Sequence, residues 1–428
     1  MYMRSLATFD ASGKHLRSGI RATAPHGPAH ALDRWLATLI QRTIDAAHVR
    51  LRLWDGFTAY ERPSDPIGEL IIHDRRTLIG LVVNPDVAFG EAYMDSGLDV
   101  RGSLERVLEA LFRATLAGPP SLRERLATAA ALPNTLAASR RNAHEHYDLG
   151  NNFYALWLDR DLVYTCAYFE TPSMSLDQAQ RAKLDLICRK LRLRAGETVI
   201  EAGCGWGALA IHMARGYGVR VKAFNISREQ LTYARQWAAR ERLTSRVEFI
   251  EDDYRNVSGR FDVFVSVGML EHVGRRHFQT LGETLRRTLR RDGGRGLLHF
   301  IGRDNPRPVS AWIRRRIFPG GYTPTLAEVT SLVLGPAGMS VFDVENLRLH
   351  YAQTLAHWAD RFAAAADEVR AAYGESFRRA WELYLAGSQA SFATGWMQLF
   401  QIVFVPAESA PPSWTRRDRY EASTGAAA

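Results

Sequence analysis

Long apolar runs are missing from this 428-residue chain. No stretch reaches the roughly 20 apolar residues a membrane-spanning helix needs, and Leu78–Val83 is short and flanked by polar residues. The stretch Met1–Ala31 is polar and broken by glycine and proline, without the apolar centre of a secretory signal. These absences predict a cytoplasmic protein. Cysteine is scarce as well. Cys166, Cys188 and Cys204 form no CxxC or Cys/His spacing, which argues against both a disulfide framework and a bound metal. Zinc-finger spacing, an RNP aromatic run and a basic zipper are also lacking, so no nucleic-acid partner is expected.

A hydrophobic content of 46% and a charged content of 24% are ordinary for a folded globular chain. The length allows one large domain and a smaller one. The formal net charge is +9, and basic residues concentrate between Arg275 and Arg316, in the pairs Arg275–Arg276, Arg286–Arg287 and Arg290–Arg291 and the run Arg314–Arg316. Without nucleic-acid signatures, the anionic partner this charge suggests is the surface of an acidic bilayer. Plain surface solvation by arginine is the alternative.

Periodicity divides the chain into a tail (1–28), an N-terminal domain (29–135), a larger domain (136–415) and a second tail (416–428). The N-terminal domain opens with an amphipathic helix carrying Leu32, Trp35, Leu36, Leu39, Ile40 and Ile44 on one face. Strands are expected at Arg50–Trp54 and Thr77–Val83, then a helix over Ser103–Ala117, with Pro119–Pro120 as a break. The larger domain starts with a helix over Gln178–Leu191, which puts Cys188 in the core. Strands then alternate with helices: Thr198–Ala202, Val219–Asn225, Val247–Glu251, Phe261–Val267 and Gly296–Ile301 as strands, Ala208–Arg215 and Arg228–Glu241 as helices. Helices over Gln353–Tyr373 and Glu375–Phe392 and a last strand at Met397–Val405 follow. This pattern predicts an α/β domain with a mostly parallel sheet, covered by helices on both faces.

Between the first strand and its helix lies Glu201-Ala202-Gly203-Cys204-Gly205-Trp206-Gly207. Glycines there allow a tight turn and a close approach of backbone to a nucleotide ligand. The loop also fits the looser dinucleotide pattern, so alone it does not choose the cofactor. Glu201 would repel a pyrophosphate but suits a cationic amino-acid moiety. The second strand ends in Asn225, where a dinucleotide enzyme usually offers a carboxylate to the ribose. Asp253, after the third strand, suits an adenine amino group. Together they favour S-adenosylmethionine.

Several separate segments resemble cyclopropane-fatty-acyl-phospholipid synthases, a family that includes mycolic acid cyclopropane synthases. They are His146-Tyr147-Asp148-Leu149-Gly150-Asn151, Tyr164-Thr165-Cys166-Ala167-Tyr168-Phe169, the glycine loop and Gly268-Met269-Leu270-Glu271-His272-Val273-Gly274. Leu298-His299-Phe300-Ile301-Gly302, Ile317-Phe318-Pro319-Gly320-Gly321 and, in the first domain, Gly90-Glu91-Ala92-Tyr93-Met94-Asp95 belong with them. The resemblance spans roughly residues 65–405. It implies a Rossmann-like class I methyltransferase domain with a seven-stranded, mostly parallel sheet, plus a smaller, mainly helical N-terminal domain. It implies that the methyl of S-adenosylmethionine is attacked by the cis double bond of an unsaturated phospholipid acyl chain, giving a carbocation, and that proton loss from the transferred methyl closes the ring. Bicarbonate is the implied proton acceptor, held by Glu271, His299, Tyr351 and the backbone around Cys166 and Ile301. Tyr164, Thr165, Glu201, Gly203, Gly205, Trp206, Gly207, Asn225, Ser227, Gln230, Asp253 and Tyr254 are the implied cofactor contacts. The protein would sit peripherally on the inner face of the membrane; a homodimer stays open.

The chemistry is coherent. A proton beside a carbocation is acidic enough for a weak base, and a small anion in a cage of donors can be that base in an apolar tunnel. Glu271 would accept the anion's own O–H or be protonated itself. Aromatic faces at Tyr164, Tyr168, Phe169 and Trp206 could stabilise a cation. His272 is open between a structural and a functional role, and Cys166 has no neighbouring base to make it a nucleophile. Ser388 stands where some members carry cysteine; Asn225 replaces a more usual Thr and Glu201 a more usual Asp. Branch-forming fatty-acyl methylation, small-molecule N-methylation and silent lipid binding are the competing functions.

Overall fold

Strands β1 (Val49–Arg52), β2 (Gly68–Ile72) and β3 (Leu98–Arg101) form a small sheet, β1 parallel and β3 antiparallel to β2. The computed structural model describes residues 27–115, 149–409 and 415–420. The tail 1–28 except its last two residues, the Pro119–Pro120 break, the motif residues His146–Asp148 and the end of the C-terminal tail lie outside the described residues. The chain separates into two compact units. One comprises residues 1–121, 309–319 and 355–396, and the other residues 122–308, 320–354 and 397–428. Each is therefore discontinuous in sequence, unlike the contiguous spans 29–135 and 136–415 read from periodicity.

In the first unit, α1 (Ala31–Ile44) leads into the small sheet, followed by α2 (Arg75–Val83), α3 (Pro85–Met94) and α4 (Leu104–Thr115). The expected strand at Thr77–Val83 is a helix. Asp74 caps it by accepting from the Thr77 amide at 2.7 Å, and Arg75 pairs with Asp33 of α1. A cap and a tertiary tether override the β-propensity of Leu-Ile-Gly-Leu-Val-Val. The face α1 buries is Asp33, Ala37 and Gln41. Its apolar stripe looks outward, with Leu32 62% and Trp35 61% exposed. The unit's later segments pack against these elements. Trp312 lies where a Cβ on Gly90 would sit only 2.4 Å from its ring, and the helix Glu375–Thr394 binds α3 through Tyr93 Oη donating to Glu382 at 2.9 Å.

In the second unit, β4 (Thr198–Ala202), β5 (Arg220–Asn225), β6 (Val247–Glu251), β7 (Val263–Val267), β8 (Arg295–Gly302), β9 (Met339–Asn346) and β10 (Gln398–Pro406) form a seven-stranded sheet. Its order is β6-β5-β4-β7-β8-β10-β9. Strands β4 to β8 are parallel to one another, and β10 runs antiparallel to both β8 and β9. The class I methyltransferase architecture expected from the sequence is thus present. Strand β9 goes unpredicted because Met339–Asn346 alternates poorly and ends in Asp343, Glu345 and Asn346. One apolar cluster (Ile187, Ala210, Leu231) covers one sheet face and another (Phe264, Leu281, Val333) the other. β4 reverses direction of winding toward β5 on one side and β7 on the other, which opens a crevice at the strands' carboxyl ends.

Candidate active site

The crevice above β4, β5 and β7 is a cavity that begins with the glycine loop. Gly203 has φ of +83°, and a Cβ there would come within 3.0 Å of Met269, so both conformation and space call for glycine. Glu201, Gly203, Gly205, Trp206, Asn225, Gln230, Asp253, Tyr254, Tyr164 and Thr165 line the cavity, as does His272. Two expected members do not. Gly207 caps the following helix at φ +90°, where a Cβ would strike Phe249 at 2.7 Å; its role is packing. Ser227 uses its hydroxyl to cap the helix Arg228–Arg240, accepting from the Gln230 amide.

Charge in the cavity is arranged by burial. Lys183, fully enclosed, donates from Nζ to Thr165 Oγ1 at 2.9 Å. Burial lowers the Lys183 pKa and raises that of Glu201, and the charge of each opposes the other's shift. Among the described residues, the buried Glu201 Oε2 has no partner and is an acceptor left open. Asn225, by contrast, donates to Gly205 O at 3.2 Å and Gln230 Oε1 at 2.8 Å and accepts from the amides of Ile226 and Ser227. It shapes the loop more than it offers itself to a ribose. Asp253 is gripped by Arg255 at 2.7 and 3.0 Å, so any adenine contact shares its oxygens with that guanidinium. Trp206 donates from its indole to Asn151 at 2.7 Å. It packs on Tyr154, which also touches Tyr164, and makes an aromatic wall.

A second constellation lies beside it. Glu271 follows β7, and its Oε1 accepts from the Ile301 amide at 2.6 Å. The Ile301 N–H therefore serves Glu271 directly. Burial pushes the Glu271 carboxyl up to about 7, while the Ile301 bond pulls it down. Its Oε2 is buried without a partner among the described residues. His299, two residues before Ile301 on β8, has Nδ1 at 3.0 Å from Gln401 Nε2, and its Nε2 is likewise buried without a partner. Burial and the charges of Lys183 and Lys190 hold its pKa well below the usual imidazole range, so the ring is neutral. Burial also lowers His272, to about 4. Tyr351 and Cys166 converge on one carbonyl: Leu347 O accepts from the Tyr351 amide at 3.2 Å and faces the Cys166 thiol at 3.9 Å. Leu347 in turn bonds Leu399, which stands opposite Ile301 in the β8–β10 register. Burial raises the Cys166 thiol far above its ordinary pKa, which excludes a nucleophilic thiolate. Of the other ring candidates, Tyr168 packs against His350, with centroids 4.8 Å apart, and Phe169 is buried.

Three polar residues of this region escape the sequence reading: Lys183, Lys190 and Gln401. Lys190 donates to Gln401 Oε1 at 2.5 Å and pairs with Glu345. A signal was available. Gln180, Lys183 and Lys190 all fall on the buried stripe of the helix Leu176–Lys190, with Leu184, Ile187 and Cys188, and lysine on an apolar stripe calls for a partner.

Comparison with known proteins agrees with this architecture. The family model described as mycolic acid cyclopropane synthetase matches residues 135–402, and a domain family of unknown function matches residues 35–117. A probable fatty acid methyltransferase of Pseudomonas putida is 38% identical, over 87% of this chain and 96% of its own. The cyclopropane-fatty-acyl-phospholipid synthase of Escherichia coli K12 is 36% identical, over 74% of this chain and 82% of its own. The solved mycolic acid cyclopropane synthase CmaA1, complexed with S-adenosylhomocysteine and CTAB, superposes with a TM-score of 0.59 at 30% identity, over 62% of this chain and 97% of its own. The chain belongs to the mycolic acid cyclopropane synthetase family and is an S-adenosylmethionine-dependent methyltransferase of the cyclopropane synthase type.

Proposed function

We propose that the chain is a cyclopropane-fatty-acyl-phospholipid synthase that works from the cytoplasmic side on lipid at the inner face of the membrane. The observation that carries this reading is a pair of buried atoms without partners among the described residues, His299 Nε2 and Glu271 Oε2; the strand that carries His299 is bonded to Glu271 through the Ile301 amide. With Nδ1 engaged by Gln401, His299 presents an N–H donor; Glu271 presents an acceptor. A small oxyanion bearing one proton, such as bicarbonate, answers both at once. When bound, it supplies a weak base for the proton that leaves the transferred methyl. The residues of the chain hold that proton acceptor: neutral His299 donates without adding positive charge near a developing cation, and Glu271 takes the O–H and orients it.

The glycine loop and Glu201 fit S-adenosylmethionine. The unpartnered Glu201 Oε2 would meet the ammonium of its methionine moiety, and Gly203 and Gly205 leave the approach open. The cofactor supplies an electrophilic methyl group. Tyr164 and Trp206, in the aromatic wall, would present ring faces to positive charge, worth on the order of 1–2 kcal/mol when desolvated. The S–CH3 bond breaks, a C–C bond forms at the alkene, and loss of one methyl proton to the held base closes the ring.

A second reading rests on the 38% identity to a protein named as a probable fatty acid methyltransferase: the same methyl transfer could end in a methyl or methylene branch. Mass spectrometry of lipids from cells expressing the protein separates the outcomes. A gain of one CH2 with loss of the double bond supports ring closure. The same gain with an unsaturation still cleaved by ozone supports methylenation, and unchanged lipids overturn both.

A further inference from the structure

The outward stripe of α1 is the observation the proposed chemistry leaves unused. Leu32, Trp35 and Leu39 are 62%, 61% and 42% exposed, and on the adjoining α2 Ile79, Val82 and Val83 are 45%, 36% and 73% exposed. These six stand at i, i+3, i+4 and i+7 spacings, so each helix presents them along one side. The helices are clamped together from the other side, where Arg75 grips Asp33 at 2.8 and 2.6 Å. That clamp removes the negative charge of α1 from the surface, since Asp33 is only 1% exposed, and α2 contains no acid. Cations remain. Arg34 pairs with Asp55 at 3.5 Å, whereas Arg42 and Arg76 are exposed and have no ion-pair partner among the described residues.

We propose that this α1–α2 face is a docking surface for an anionic phospholipid bilayer. It rests on the lipid-methylating reading above, and assigns the place where the protein meets its substrate's membrane. Trp35 and the aliphatic side chains enter the boundary between headgroups and acyl chains, and Arg42 and Arg76 lie over the phosphates. Charge decides against a second copy of the chain as the occupant, because pairing two such faces would bring the arginines together, whereas anionic lipid attracts them.

Vesicle co-sedimentation of the full chain tests this, with phosphatidylglycerol–phosphatidylethanolamine and with pure phosphatidylcholine. The native protein is expected on the anionic vesicles and to be released by salt. Trp35→Ser with Leu39→Ser is expected to weaken binding by about tenfold or more, and Arg42→Gln with Arg76→Gln by about fivefold per arginine. Both variants should methylate detergent-dispersed unsaturated phospholipid at the native rate, which verifies their fold. Native binding that survives both substitutions, or preference for phosphatidylcholine, overturns the proposal. So does a native dimer that the Trp35 variant turns into a monomer in light scattering. If the native chain methylates no lipid yet docks through this face, the functional reading fails and the docking surface stands.

Discussion

Gln401 donates from Nε2 to Nδ1 of His299 at 3.0 Å, and Lys190 decides that it does so. An ammonium can only donate, so its bond to Gln401 Oε1 fixes the amide with its NH2 toward the imidazole. The proton of neutral His299 is thereby placed on Nε2, one of the two atoms of the site without a partner among the described residues. A buried lysine thus chooses a tautomer without touching the ring.

Replacing Gln401 with leucine should release that choice. Turnover is expected to fall about 100-fold with S-adenosylmethionine affinity unchanged by calorimetry. The 15N spectrum of His299 should shift from the Nε2–H pattern toward a mixture. A native spectrum already showing Nδ1–H would refute the arrangement.

Glu271→Gln and His299→Ala each remove one of the two orphaned atoms. Each variant is expected to lose at least about 100-fold in turnover while retaining cofactor binding. Native turnover in either would mean that the constellation does no chemistry.

The Glu271 carboxyl, raised by burial to about 7, gives a pH limb. If its charged form accepts the O–H, the rate should rise with pH through about 7, and Glu271→Gln should lose that limb. Stability runs the other way. Between the ordinary carboxylate value near 4.5 and about 7 the folded chain holds more protons than the unfolded one, so this group's contribution declines as pH rises. The melting temperature of Glu271→Gln relative to native should therefore improve from pH 5 to about pH 8, measured by calorimetry.

Burial raises the Glu201 carboxyl to about 8, and the charge of Lys183 pulls it down against that burial. Lys183→Met is expected to weaken S-adenosylmethionine binding by about tenfold at neutral pH, less so at higher pH, where Glu201 ionises unaided. Affinity independent of Lys183 would detach it from the cofactor site.

Gly90 leaves a Cβ no room against Trp312. Gly90→Ala should destabilise the chain by about 1–3 kcal/mol, read from a denaturant midpoint.

Much of the larger sheet was legible because its strands are short, rich in β-branched and aromatic residues, and alternate with helical segments. Val247–Glu251 and Thr198–Ala202 fall where expected. Glu271, His299 and Ile301 were placed by motif, and the fold brings their elements together. What periodicity could not convey was orientation and commitment. The stripe of Leu32, Trp35 and Leu39 looks like a core face, yet Asp33 and Gln41 go inside because Arg75 and the β1 backbone satisfy them. Asn225 and Ser227 have the right chemistry for a nucleotide, but local backbone amides already claim their oxygens. Gln401 lies in a largely apolar strand, and its meaning depends on Lys190, 211 residues earlier.

The discontinuity of the first unit bears on how the chain is made. Arg379 and its partner Asp99 are 280 residues apart. At synthesis rates of about 5–20 residues per second, that separation is a wait of roughly 15–60 s. During this interval α3 and α4 exist on the ribosome without the Glu375–Thr394 helix that covers them, while strands β4 to β8 emerge and can pair. The parallel part of the nucleotide-binding sheet can thus form first, but β10 (Gln398–Pro406), which joins β8 to β9, emerges after the Glu375–Thr394 helix, so both units are completed only by the last stretch of chain.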